Sequence, residues 1–408
     1  MSTFHFLSFN DFQKDGGGTI RMYGVLNALA QDAHKVFFYS NAVNKERFHP
    51  NIKHIDLGIQ ITPAEKRKLQ FLLAFASLSL VNKQFAKKLE RLREVFGDMD
   101  SKRLFCFEYL DNSVGYWLKK NEIINSYAND IHGVATLEFN YQKKQSSSTK
   151  SKAMFWLKEK AADALDKKVF ENAAYSIFVS KAMYDYYADR YNISDQPKVI
   201  VPNLLADEAC EQELDTNLVK EIRAKFHVLP TDKIVLFAGS FKKTSGVLDL
   251  IKAVEMIIPQ HPNVRLLLLG DGFYREEWEE YVQKNNLQDK VEFLGRTPYT
   301  HLAAYQEIAH ILVCPDTQNI FSELIVHFKY LDALLANKIV INGNFASVLE
   351  INENEKLSLG FEPSNIADLA KTLNHAIEEY DSLTQKYSNN RQFACENLTY
   401  SHIDTLLH

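Results

Sequence analysis

Five short stretches hold residues whose types and spacing suit chemistry. Asp15-Gly16-Gly17-Gly18-Thr19 lies between an apolar run and a helical pattern. Glycines let a backbone approach a ligand closely, and a helix N-terminus offers unpaired amides that suit a phosphate. The stretch is not GxGxxG, and no acidic residue ends the second strand to grip a ribose. A tight turn is the plainer alternative. Asp130-Ile131-His132-Gly133, with Glu138 nearby, puts a histidine beside a glycine in a loop. That setting suits catalysis better than an apolar face, although a lone histidine is often structural. Gly239-Ser240-Phe241-Lys242-Lys243-Thr244-Ser245-Gly246 and Gly270-Asp271-Gly272 each follow an apolar run. Both suit an anion at strand carboxyl ends, where open parallel sheets bind ligands. Both could equally be strand-to-helix turns. The first lacks the GK[ST] ending of a P-loop, which disfavours Walker-type nucleotide hydrolysis. Ser322-Glu323 opens a helical pattern whose later turn carries Lys329 and Asp332. Ser322 and Asp332, nearly three turns apart, suit opposite ends of an extended ligand. Lys329 and Asp332 could instead be a solvated i,i+3 pair.

Positioning these residues falls to alternating strands and helices. Strand-like runs are expected at 4–9, 35–39, 104–107, 176–179, 199–201, 234–238, 265–269, 291–294, 311–314 and 339–341, with helical patterns between most of them. Such alternation predicts an α/β chain with parallel sheets covered on both faces, the doubly wound class. A second opening like the first recurs at 233–239, so two Rossmann-like domains are expected. They span 1–203 and 204–386, with a linker at 202–215. Residues 387–408 form a polar, then helical tail expected to pack back on the first domain. Two segments break the alternation. Residues 64–103 read as long and helical, with ten Lys or Arg against five Asp or Glu. Residues 141–152 read as a basic, serine-rich loop leading into a helix near Ala153.

The chain has 408 residues, 46% hydrophobic and 24% charged, which excludes a disordered chain and fits two domains. Its net charge of −5 argues against a nucleic-acid partner. No apolar run reaches the roughly 18 residues of a membrane span, and the N-terminus lacks the pattern of a secretory signal. The cysteines Cys106, Cys210, Cys314 and Cys395 lie far apart without a CxxC pair, and are expected to be reduced thiols in a cytoplasmic protein.

Together these stretches resemble the retaining family-4 glycosyltransferases (group 1) of the GT-B fold. The segments DGGGTIRMYGVLNALAQDAHKVFFYS, NDIHGVATLE, IVLFAGSFKKTSGVLDLIKAV, LLLLGDGFYREEWEEY and FKYLDALLANKIVI carry the resemblance. It implies two domains facing a cleft, an N-terminal acceptor domain and a C-terminal domain for a nucleotide-sugar. No metal is strictly required and no cofactor is expected. The resemblance places His132 at the reacting sugar, Gly17 and Gly18 near its phosphate, and Arg296 near the base. Asp332 stands where the family's second glutamate contacts the ribose. Eight residues before it stands Leu324, so Glu323 lies one position off the first glutamate, with Ser322 beside it. Ser240 and Ser245 replace the usual arginine and lysine on the diphosphate, and Lys242 or Lys243 is the substitute cation. Catalytic roles thus fall to His132, Lys243 and Glu323. Donor contacts fall to Gly17, Gly18, Gly239, Ser240, Lys242, Ser245, Gly270, Asp271, Gly272, Arg296, Ser322, Leu324 and Asp332.

The expected reaction moves a sugar from a nucleotide-sugar to an acceptor hydroxyl with retention, in polysaccharide or glycolipid assembly. The hydroxyl attacks on the face from which the diphosphate leaves, and a diphosphate oxygen takes its proton. No GxSxG or reactive cysteine setting argues for a protein nucleophile. The acceptor is a glycan or a lipid-linked sugar. The basic segments 64–103 and 142–160 suit an anionic membrane surface, with Phe155 and Trp156 dipping into it, or else are a solvated face. The expected location is cytoplasmic, peripheral on the inner face of the plasma membrane. Two alternatives are a non-catalytic nucleotide-sugar-binding or partner subunit and a nucleotide-sugar epimerase.

Overall fold

The computed structural model describes residues 2–12, 17–32, 34–97, 99, 103–403 and 407. The chain divides into two compact units, Met1–Asn203 with Tyr400–His408, and Leu204–Thr399. Residues 387–399 thus count with the second unit and only the last few with the first.

Short runs rich in Val, Ile, Leu and Phe make the strands, because strands buried on both faces are apolar on both. The first unit holds β1 (Thr3–Leu7), β2 (Lys35–Ser40), β3 (Ile52–Asp56), β4 (Arg103–Cys106), β5 (Ser126–Ile131), β6 (Tyr175–Phe178) and β7 (Lys198–Ile200). They form one sheet in the order β3-β2-β1-β4-β5-β6-β7, and every pairing is parallel. The second unit holds β8 (Lys233–Ala238), β9 (Val264–Leu269), β10 (Val291–Gly295), β11 (Ile311–Cys314), β12 (Ile339–Gly343) and β13 (Leu359–Phe361). Their order is β10-β9-β8-β11-β12-β13, again parallel throughout. Each unit has its own core, around Leu104, Trp117 and Leu165 in the first and Val235, Leu266 and Ile311 in the second.

In each sheet the winding direction reverses once, between β1 and β4 and between β8 and β11. Ligands of doubly wound sheets bind beyond the carboxyl ends of strands at such a reversal. Gly239-Ser240 directly follows β8 at one of these points, and Gly270-Asp271 follows the neighbouring β9.

Several expectations need correction. Residues 141–152 are not a loop: the helix Ala135–Gln145 runs into them, and the helix Thr149–Asn172 starts four residues before Ala153. Of the first helix only Thr136 is buried, so it carries no apolar periodicity to read. The stretch at 64–103 is three helices, Pro63–Phe75, Leu78–Gln84 and Ala86–Phe96, ahead of β4. Cys210 and Cys395 are joined in a disulfide, and only Cys106 and Cys314 are free and buried. The two partners lie 185 residues apart, and only the second unit's folding brings their Cα atoms to 5.7 Å.

Candidate functional site

In the first unit, three strand ends converge. Glu108 follows β4 and caps the helix Tyr109–Lys120 without a side-chain bond to it. Its carboxylate reaches His132 instead, with Nε2 and Oε1 3.3 Å apart. His132 directly follows the last residue of β5. Gly18 sits in the first turn of the helix Gly17–Gln31, against both. A Cβ there would lie 2.3 Å from Glu108 Oε1 and 3.4 Å from His132 Nε2, so a larger side chain at this position would displace the Glu108 carboxylate. The structure brings Gly18 beside His132 and adds Glu108, which no motif marked. Asp15 and Gly16 lie outside the described residues.

Burial pushes the Glu108 carboxyl up. The hydrogen bond and charge of His132, with Asn10 and Lys66, outweigh that and hold it below its ordinary range. A buried ion pair fixes the frame. Arg21 donates from Nε and Nη2 to both Asp130 oxygens at 3.1 Å, and from Nη1 to the Pro202 carbonyl at 2.8 Å. This bidentate clamp ties the glycine-opened helix to the end of β5.

A cavity of about 710 Å³ opens beside this cluster, and Glu108 and His132 line it. One wall is the helix Pro63–Phe75. Proline at its first position and a capping box start it: Thr62 Oγ1 accepts from the Glu65 amide, and the Glu65 carboxylate accepts from the Thr62 amide. Lys66 and Gln70, four residues apart, line the cavity from one face. The helix Thr149–Asn172 forms another wall with Lys158, Asp166 and Phe170. Gln70 Nε2, Asn112 Oδ1, Asn129 Oδ1, His132 Nδ1 and Asp166 Oδ2 are buried with no hydrogen-bond partner among the described residues. Each such atom costs about 1–3 kcal/mol. All five residues line this one cavity. Burial, helped by Asp163 and opposed by Arg190, pushes Asp166 up to about 8.

In the second unit, a cavity of about 430 Å³ collects the ends of β8, β9 and β10 and the helix Phe328–Leu334. Of the sequence-derived donor residues, Gly239, Ser240, Gly270, Asp271, Arg296 and Asp332 line it together. The strand-end loops touch: a Cβ on Gly270, whose φ is +144°, would lie 1.8 Å from the Gly239 carbonyl oxygen. Lys329 and Tyr299 also line the cavity. Lys329 does not pair with Asp332. Its Nζ lies 2.6 Å from Asp316 Oδ2, on a buried carboxylate just beyond β11. Asp332 instead accepts from the Tyr299 hydroxyl at 2.7 Å. Burial pushes Asp332 up to about 6, with the Tyr299 hydrogen bond opposing.

The remaining residues sit elsewhere. Lys242 and Lys243 are exposed outside the cavity lining. Ser245 closes its own turn, donating to the Lys242 carbonyl at 2.6 Å. Gly272 packs on the Phe241 backbone. Ser322 Oγ bonds to Asn319 and His327, and Leu324 is buried. Glu323 accepts from Gln318 Nε2 at 2.6 Å and from the Ala346 amide at 2.9 Å, so both its oxygens have partners within the unit. Among the described residues no cluster of three or more His, Cys, Asp or Glu could hold a metal ion.

Two doubly wound units, each with a cavity at strand carboxyl ends, match known proteins. Residues 219–393, which lie within the second unit, match the family model described as glycosyl transferases group 1. An uncharacterized glycosyltransferase of Methanocaldococcus jannaschii is 24% identical over 208 residues, 50% of this chain and 51% of the relative. The phosphatidylinositol N-acetylglucosaminyltransferase gpi3 subunit of Schizosaccharomyces pombe is 29% identical over 135 residues, 33% of this chain and 28% of the relative. The chain thus spans about half the length of the first relative and less of the second. The structure of Anabaena HepE in complex with UDP and glucose superposes with a TM-score of 0.70 at 15% identity, covering 100% of this chain and 98% of that one. The architecture is the GT-B fold.

Proposed function

We propose that the protein is a retaining glycosyltransferase that moves a hexose-like sugar from a nucleotide-sugar to an acceptor hydroxyl. The observation that carries this is the second unit's cavity. Within the residues matched by the group 1 family model it gathers six of the sequence-derived donor residues and adds Lys329. Its glycine-lined strand ends suit a diphosphate, and Asp332 with Tyr299 suits ribose hydroxyls. The complex of the Anabaena protein with UDP and glucose supports a nucleotide ligand.

No protein nucleophile is needed. The acceptor hydroxyl attacks on the face the diphosphate leaves, and a diphosphate oxygen takes its proton. The protein positions the reactants and stabilises the charge that develops on the leaving diphosphate. Arg296, Lys329 and the loop lysines Lys242 and Lys243 are the nearby cations of the second unit. In the first unit, Glu108 holds His132 Nε2 and so orients the imidazole beside the cavity. No metal or cofactor enters this scheme.

The acceptor belongs to the first unit's cavity. A lipid-linked or membrane-borne acceptor, as in polysaccharide or glycolipid assembly, has two supports. The name of the yeast relative specifies phosphatidylinositol. The cavity rim also exposes Phe71, Met154 and Leu157 beside Arg67 and Lys68. Phe155 is half-buried, with the Lys158 ammonium 4.7 Å from its ring centre, so Trp156 and its neighbours are the exposed apolar groups. No described helix is long and apolar enough to cross a membrane. A cytoplasmic, peripheral location completes the reading. The Cys210–Cys395 disulfide weighs against it, because cytosolic thiols are normally kept reduced.

Proton NMR of the full chain with nucleotide-sugars tests the activity. A new glycosidic anomeric signal with the donor's configuration supports retention, and an inverted one removes it. A second reading, a non-catalytic nucleotide-sugar-binding or partner subunit, is favoured by Glu323, whose oxygens are both engaged internally. Nucleotide binding with neither transfer nor donor hydrolysis would select it.

A further inference from the structure

We propose that the Cys210–Cys395 disulfide is a redox latch that sets the affinity of the second unit for its nucleotide. This rests on reading that unit's larger cavity as the nucleotide site, and it adds a control that acts from outside that cavity.

The latch joins two unlike elements. Cys395 lies on the helix Asn390–Asn397, which is anchored to the unit. Asn390 Nδ2 donates to the Leu357 carbonyl at 2.7 Å, and the Arg391 amide donates to Asn337 Oδ1 at 2.8 Å. Cys210 lies on the five-residue helix Asp207–Glu211, which buries no residue. The chain from 211 to 215 is exposed. Tethers rather than burial therefore hold this segment. Besides the disulfide, Arg391 Nη2 donates to the Cys210 carbonyl at 2.9 Å and to the Gln212 carbonyl at 3.4 Å.

The tethered segment reaches the nucleotide cavity through Gln212. Its Nε2 donates to the Thr300 carbonyl at 2.9 Å. Thr300 adjoins Tyr299, whose hydroxyl donates to Asp332 at 2.7 Å. Ala209, Gln212 and Arg391 line a second cavity of about 180 Å³. Tyr299, Leu302, Gln306 and Asp332 line both that cavity and the nucleotide cavity. Cutting the disulfide frees a segment that burial does not hold, and the Gln212 contact frays with it. Tyr299 and Asp332 then lose support on the side away from the nucleotide.

The reductant is a dithiol. Its thiolate attacks one sulfur, the Sγ–Sγ bond breaks through a mixed disulfide, and the dithiol leaves as its own disulfide. Its two electrons and two protons end on Cys210 and Cys395. Both cysteines are half-buried, within reach of a small thiol. The free thiols Cys106 and Cys314 are buried, and burial pushes Cys314 up to about 12, so alkylation reports on the latch. The latch closes in an oxidising compartment and opens in a reducing one.

The test compares the full chain oxidised and reduced with dithiothreitol, its thiols counted by iodoacetamide labelling and mass spectrometry. UDP, GDP, ADP and CMP are titrated by calorimetry. The nucleotide that binds the oxidised chain should bind the reduced chain about tenfold or more weakly. Cys210→Ser should match the reduced chain and ignore dithiothreitol. Gln212→Leu keeps the disulfide, should itself weaken binding about threefold or more, and should make reduction matter less than in wild type. Hydrogen exchange on reduction should quicken at 206–214 and 298–301 and stay unchanged in β8 and β9. The inference is overturned by full labelling of Cys210 and Cys395 without reductant. It is also overturned by nucleotide affinities within about twofold in the two states, even if the melting temperature falls, since a mere structural staple would do that. Exchange that quickens in β8 and β9 as well shows general unfolding and overturns it too. Equal binding in both states removes the latch alone. No nucleotide binding in either state removes the nucleotide reading, and the latch falls with it.

Discussion

His132 is the residue on which the proposed chemistry turns, and its neighbours make it testable. His132→Ala should abolish transfer while leaving the circular dichroism and melting temperature near wild type. Gly18→Ala should act indirectly, because the new methyl would meet Glu108 Oε1 and push it off His132. A loss of about tenfold or more in kcat/KM is expected there, equivalent to about 1.4 kcal/mol. Normal turnover in His132→Ala would remove the assignment. Asp332 gives a pH test. Its folded value of about 6 lies above the ordinary carboxylate value of about 3.9. The fold therefore holds that proton more tightly than the unfolded chain does. This contribution is present below about pH 4 and is lost as pH rises through about 6. Asp332→Asn should thus raise stability at pH 7.5 by on the order of 1 kcal/mol, change little at pH 4, and weaken nucleotide binding. Equal melting shifts at both pH values would contradict this account of Asp332.

At the scale of elements, the Arg21–Asp130 pair holds the helix Gly17–Gln31 against β5. Removing one partner strands a buried charge, so Arg21→Leu should cost about 3 kcal/mol or more in denaturant unfolding. Arg21→Leu with Asp130→Leu should recover most of that loss. A cost for the single variant below about 1 kcal/mol would show that the clamp is unimportant. These elements also explain what was legible in the sequence. Strands such as β8 and β9 are unbroken apolar runs, so their loops Gly239-Ser240 and Gly270-Asp271 could be placed at strand ends. The same logic missed β5, because its buried Asn129 and Asp130 break the apolar signal. It missed Glu108, a lone acid after a four-residue strand with no motif around it. It missed Tyr299 as the partner of Asp332 and Asp316 as that of Lys329, since those pairings are made by packing rather than spacing. Glu323 and Ser322 are marked by a helix opening and by family register, and their local hydrogen bonds engage them within the helix region.

For the whole molecule, each unit carries its own cavity, and the proposed reaction assigns the acceptor to one and the nucleotide-sugar to the other. A membrane-borne acceptor predicts that the chain floats with vesicles containing anionic phosphatidylglycerol and stays behind with neutral phosphatidylcholine. Reversing Arg67 and Lys68 to glutamate should lower the bound fraction roughly tenfold or more, since each basic residue near the surface contributes about 1 kcal/mol. Flotation independent of lipid charge would remove the membrane reading and leave the transferase reading standing. The central claim, a nucleotide-sugar site in the second unit, is tested most directly by thermal shift of the full chain. UDP, GDP, ADP, CMP and their common sugars would each be added to wild type and to Arg296→Ala. The account predicts that one nucleotide class at 100 times its dissociation constant stabilises the wild type by about 2.7 kcal/mol, and that Arg296→Ala loses most of that shift. No shift with any nucleotide, or an undiminished shift in Arg296→Ala, would contradict it.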